Sequence, residues 1–145
     1  MDSNEIKTVY KVAQGYFSLE EIDHISKIEN GNINDTYLVQ TKGLLDLDTF
    51  ILQRVNSNIF SSPINIMNNT LKIINRFNDS NYKAYIHDPI FRISTPELIP
   101  TKRNESNFIN NDSSFWRAFS YIDHANTVDV ISDSTQVYMI GYALG

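Results

Sequence analysis

The chain has 145 residues, 41% of them hydrophobic, no cysteine and a formal net charge of −5. One domain with its own core fits this length and composition. Without cysteine there is no disulfide, thiolate metal site or Cys nucleophile, and an acidic pI of about 5.0 with a single adjacent basic pair, Lys102-Arg103, disfavours binding to a phosphate backbone.

No apolar run approaches the about 20 residues needed to span a bilayer. The start, Met1-Asp2-Ser3-Asn4-Glu5, is too polar and acidic for a signal peptide. The expectation is a cytoplasmic protein with no nucleic-acid or membrane partner. Triplets such as Asn68-Asn69-Thr70 then read as chance matches in an Asn-rich chain.

Ile6, Val9, Tyr10 and Ala13 recur at helical spacing and predict a short amphipathic helix over residues 4–14, stopped at Gly15. Ser18-Leu19-Glu20-Glu21 reads as a second, brief helical start. A strand is expected by Ile25, with His24 at the surface. Glu29-Asn30-Gly31-Asn32-Ile33-Asn34 reads as a turn, because Gly31 takes a positive φ without steric cost and Asn tolerates one. Thr36-Tyr37-Leu38-Val39 and Phe50-Ile51-Leu52-Gln53-Arg54-Val55 are rich in strand formers. A turn with outward amides, followed by a strand that ends in polar groups, is one way to cover a nucleotide phosphate chain.

Ser62 before Pro63 is a helix start, a capping hydroxyl followed by proline at the first helical position. Ile64, Met67, Leu71, Ile74 and Phe77 continue it at spacings of three or four, as a core-facing stripe. Residues 82–101 contain Pro89, Pro96 and Pro100 and read as irregular, with a short strand near Ile99. Residues 106–121 read as a hairpin turning at Asn110-Asn111-Asp112, with Trp116 as a packing residue. Asp133 or Ser134 caps a final helix containing Val137, Tyr138, Met139, Ile140 and Leu144. That helix has an apolar face and little chain left to bury it, so the expectation is a chain cut short and poorly soluble alone.

The fold class expected is α+β, an antiparallel sheet with one long packed helix. Five pieces in order carry a resemblance: Gly31-Asn32-Ile33-Asn34-Asp35-Thr36-Tyr37-Leu38-Val39, Phe50-Ile51-Leu52-Gln53-Arg54-Val55-Asn56, Ile59-Phe60, Met67-Asn68-Asn69, and Trp116-Arg117-Ala118-Phe119-Ser120-Tyr121-Ile122-Asp123-His124. Together they resemble the N-terminal lobe of the aminoglycoside phosphotransferase/choline kinase-like family, which has a protein-kinase-like fold. The N-acetylhexosamine kinase branch looks closest. The resemblance implies a nucleotide-binding lobe over residues 1–122, with a hinge and the start of a truncated C-terminal lobe over 123–145.

It also implies sites. Gly31, Asn32, Asn34 and Thr36 would form the turn over the ATP phosphates. Only the middle glycine of the protein-kinase pattern G-x-G-x-x-G is kept, and Glu29 brings a negative charge nearby. Ile51 would lie under the adenine. Gln53 takes the position of the kinase lysine, with Asn68 or Asn69 as its neutral partner on the helix and Arg54 on the opposite face. Tyr121, Ile122 and Asp123 would form the hinge, reading the adenine edge through the backbone, with Asp123 near the ribose.

The motifs H-G-D-x-x-x-x-N and D-x-D, which in the family supply the catalytic Asp and the Mg2+ ligands, are expected in a missing C-terminal lobe. His87-Asp88-Pro89 lacks the following pattern, and Asp46-Leu47-Asp48 reads as a solvated turn. No catalytic residue or metal ligand is therefore named. The implied reaction moves the ATP γ-phosphoryl group to a hydroxyl of a small-molecule acceptor such as an N-acetylhexosamine, another sugar or an amino alcohol. The chain alone is expected to be inactive. The alternative is a standalone, pseudokinase-like module that binds a protein partner.

Overall fold

The computed structural model describes residues 1–29, 33–42, 49–79, 95–123, 130–131 and 133–144. These form one six-stranded antiparallel sheet and three helices. In chain order they are α1 (Ser3–Ala13), β1 (Ile22–Ile28), β2 (Asp35–Thr41), β3 (Thr49–Arg54), α2 (Pro63–Asn78), β4 (Leu98–Ile99), β5 (Phe108–Ile109), β6 (Phe115–Ser120) and α3 (Ser134–Leu144). The strand order is β1-β2-β3-β6-β4, with β5 pairing β6. The α+β class expected from the sequence is the one observed.

Local signals account for most element ends. The Asp2 carboxylate accepts from the Asn4 and Glu5 amides at 2.8 Å and starts α1. Asp133 accepts from the Gln136 amide at 2.9 Å and starts α3. The hairpin into β6 turns where Asn110-Asn111-Asp112 stand. Ser113 there adopts φ 63°, and the Asp112 carboxylate accepts from the Ser114 amide at 3.0 Å.

Two local expectations are corrected. Residues 18–21 make a single turn and no helix: the Glu21 carboxylate folds back to accept the Ser18 amide at 2.6 Å, and β1 begins at Ile22. Ser62 precedes α2 but makes no side-chain capping bond. The Asn65 amide, which such a cap would serve, donates instead to the Ser62 backbone carbonyl at 3.1 Å.

Register sorts the strand side chains onto two faces, because directly opposed residues in an antiparallel pair point the same way. Ile25, Val39 and Phe50 share one face with Lys27, Tyr37, Leu52 and Ala118. Val9, Val12, Ala13, Tyr16 and Phe17 cover that face and complete the main core. Trp116, Tyr37, Phe50 and Leu52 are fully buried in it. Each such side chain contributes about 1.5–3 kcal/mol of burial free energy.

Phe115 and Phe119 point to the other face, where they meet Val55 and the α2 residues Met67 and Ile74. The sheet is thus the middle layer between α1 and α2. The α2 stripe read from the sequence is confirmed at Met67, Leu71 and Ile74, whereas Ile64 is exposed. On α3, Val137, Tyr138, Met139 and Ile140 are exposed.

Candidate functional site

The second sheet face is only partly covered. Phe115 and Phe119 are buried, but Ile28, Leu38 and Ile51, farther across the sheet, are half-buried. They lie in register rows. Ile51 stands between Leu38 and Phe119, and Gln53 stands between Thr36 and Arg117, with Ile28 beyond Thr36. The result is an apolar strip beside a polar one.

The polar strip is a directed chain of hydrogen bonds. Arg117 donates to the Gln53 side-chain oxygen twice, from Nε at 3.0 Å and from Nη2 at 2.8 Å. Its Nη1 donates to the Thr70 hydroxyl on α2 at 3.2 Å. Both lone pairs of the Gln53 oxygen are then engaged, so its NH2 group turns toward β2 and donates to the Thr36 hydroxyl at 3.2 Å. The Thr36 hydroxyl in turn donates to the Asn34 carbonyl at 3.4 Å. Donation therefore runs from a cation on β6 to the turn between β1 and β2.

Arg117 also lies over the Phe119 ring, 5.1 Å from its centroid. Burial lowers the Arg117 pKa from its ordinary value, yet a guanidinium stays charged at neutral pH. Among the described residues no carboxylate pairs with it. It is also the only Lys, Arg, Asp or Glu that the strand register assigns to this face.

The opposite face differs sharply. Asp35 pairs there with Arg54 and Lys27, and Lys27 pairs with Glu5 at 2.7 Å. The Tyr37 hydroxyl donates to Glu5 at 2.8 Å. That network is internally matched in charge.

The sequence-derived residues divide accordingly. Thr36, Ile51 and Gln53 come together on the open face. Asn34 serves the backbone instead: its side-chain oxygen accepts the Asn56 amide at 3.0 Å, and the Asn56 side chain donates to the Ile33 carbonyl at 3.1 Å. These two bonds clamp the turn to the end of β3. Tyr121, Ile122 and Asp123 are exposed and leave β6 at its far end. Gly31, Asn32, Asp46, Asp48, His87, Asp88 and His124 lie outside the described residues.

The neutral partner expected at Asn68 or Asn69 is a correction. Both are exposed, and Gln53 reaches α2 only through Arg117 and Thr70. Arg117 is the residue that the sequence reading missed. Its signal was available: alternation along Phe115-Trp116-Arg117-Ala118-Phe119 puts an arginine between two phenylalanines on one face.

A groove of about 890 Å3 lies elsewhere, lined among others by Gln14, Gly15, Lys102, Arg103, Phe108 and Asn111. It contains none of the residues of the open face. Among the described residues no helix is long and apolar enough to cross a membrane. Comparison with models of known protein families found none that matches this chain.

Proposed function

We propose that the chain is the nucleotide-binding lobe of a cytoplasmic small-molecule kinase of the aminoglycoside phosphotransferase/choline kinase-like type. Residues 1–122 form the lobe and residues 123–145 lead into the remainder of the enzyme. ATP with Mg2+ is the phosphoryl donor, and a hydroxyl of a sugar or amino alcohol, such as an N-acetylhexosamine, is the acceptor. The acceptor site, the Mg2+ ligands and the catalytic Asp belong to the C-terminal lobe.

One observation carries this reading. The half-buried Leu38 and Ile51 form an apolar row beside the row of Thr36 and Gln53, which Ile28 extends at its edge, on a single sheet face. An adenine ring suits the first and phosphate oxygens suit the second. β6 runs from this face directly into Tyr121, Ile122 and Asp123, the segment that would read the adenine edge through its backbone.

The test is an NMR titration with ATP of the wild-type chain and of Gly31→Val and Ile51→Arg. Saturable binding that both substitutions abolish is expected, with a millimolar Kd corresponding to about 4 kcal/mol. Absence of saturable ATP binding sinks the reading. The second reading, a non-catalytic module for a protein partner, draws on the exposed apolar side chains Val137, Tyr138, Met139 and Ile140 and is what remains if ATP does not bind.

A further inference from the structure

The geometry points to Arg117 and Gln53 as an oxyanion site, with Arg117 supplying its charge from β6 to a phosphate group of the bound nucleotide. The inference rests on the nucleotide reading above but begins from an independent observation. A partly buried guanidinium has only neutral acceptors, Gln53 and Thr70, among the described residues. Every charged strand residue on the opposite face is matched instead.

Burying a charge without a counter-charge is costly, and proteins ordinarily pair it. Among the described residues, three of the five Arg117 N–H groups have acceptors, all of them neutral, and two have none. An arginine with spare donors, on a half-open face, suits an anion with several oxygens, such as a di- or triphosphate.

Gln53 completes the site. Its oxygen is held by Arg117, which fixes the amide orientation, and among the described residues its NH2 group has one hydrogen on Thr36 and one without an acceptor. Hydrogen bonds in such a chain polarise one another, so the Arg117 charge makes the Gln53 NH2 a stronger donor. Both groups thus present donors and neither presents an acceptor, so the strip selects anions.

The experiment compares ATP, adenosine and tripolyphosphate binding to the wild-type chain and to Arg117→Met, with Arg117→Lys as an intermediate. In Arg117→Met, ATP and tripolyphosphate are expected to weaken about 10-fold or more, the loss of a charge-assisted hydrogen bond, while adenosine binds unchanged. Equal losses for ATP and adenosine, or no loss at all, overturn the site and leave Arg117 as a structural residue.

The two readings fail separately. Tripolyphosphate bound through Arg117 without any adenosine binding keeps the oxyanion site and removes the nucleotide. Adenosine and ATP bound equally tightly do the reverse. If Arg117→Met does not fold, the wild-type Arg117 Nε–H resonance decides. A saturable shift on adding tripolyphosphate supports the site, and an unmoved resonance overturns it.

Discussion

Gln53 and Arg54 are neighbours in sequence and work on opposite faces of one strand. Gln53 accepts from Arg117 on the open face, while Arg54 donates to Asp35 on the face that α1 covers and lies 5.7 Å from the centroid of the Trp116 ring. Period-two alternation separates them, so no rotamer change brings Arg54 to the open face. The positive charge of that face therefore comes from β6.

This separation decides what a lysine does at position 53. Gln53→Lys brings an ammonium against the Arg117 guanidinium and removes the acceptor that holds it. We expect a loss of about 1–3 kcal/mol, read as a lower urea midpoint with an unchanged slope. Gln53→Glu keeps an acceptor and gives Arg117 a counter-charge, so it should hold or raise the midpoint while weakening any anion bound there.

Acid should weaken the covered face. The hydrogen bonds from Lys27 and Tyr37 hold the Glu5 carboxyl below its ordinary value of 4.5. Burial works against ionisation of Asp35, but the hydrogen bond and charge of Arg54, with Lys27, outweigh it and hold Asp35 below 3.8. Groups lowered on folding give stability that is fully present above these ordinary values and is lost as pH falls through the folded ones. Urea midpoints should be flat from pH 7 to 5 and fall below about pH 4. The Glu5→Gln/Asp35→Asn variant should show a shallower fall.

Trp116 anchors the main core. It is fully buried, and its indole N–H donates to the Ser114 hydroxyl at 2.8 Å. Trp116→Ala should cost about 3–5 kcal/mol, and Trp116→Phe less, since the ring volume is partly kept. Thermal denaturation followed by circular dichroism separates the two. A similar Tm for both would show that the site collapses around the smaller side chain.

Gly15 stands against the Phe108 ring. A Cβ there would come within 2.6 Å of Phe108 Cδ2, closer than unbonded carbons approach. Gly15→Ala should cost about 1–3 kcal/mol through forced repacking. The double variant Gly15→Ala/Phe108→Leu should be less impaired than additivity predicts, because the second change removes the clashing edge. Additive losses in chemical denaturation would place the strain elsewhere.

Much of this protein is legible from local pattern. The spacing of Met67, Leu71 and Ile74 predicts α2, and alternation through Tyr37, Val39, Phe50 and Leu52 marks strands with one fully buried face. Asp2 and Asp133 start helices because a short side-chain oxygen reaches the next amides, which needs only neighbouring residues. Ser18-Leu19-Glu20-Glu21 shows where local pattern fails. The same Ser–Glu spacing closes one turn, and from Ile22 the chain is taken up by pairing with β2.

The pairing of β3 with β6 was not legible. Gln53 and Arg117 are opposed across a separation of 64 residues, and nothing near either residue announces the other. Which face α2 covers, and hence that Ile28, Leu38 and Ile51 stay half-open while Phe115 and Phe119 are buried, is likewise set by packing. Sequence fixes the period of each element and so which residues share a side. Only the tertiary structure decides which sides meet, because that depends on the closure of long loops and the burial of whole faces rather than on any residue's own preference.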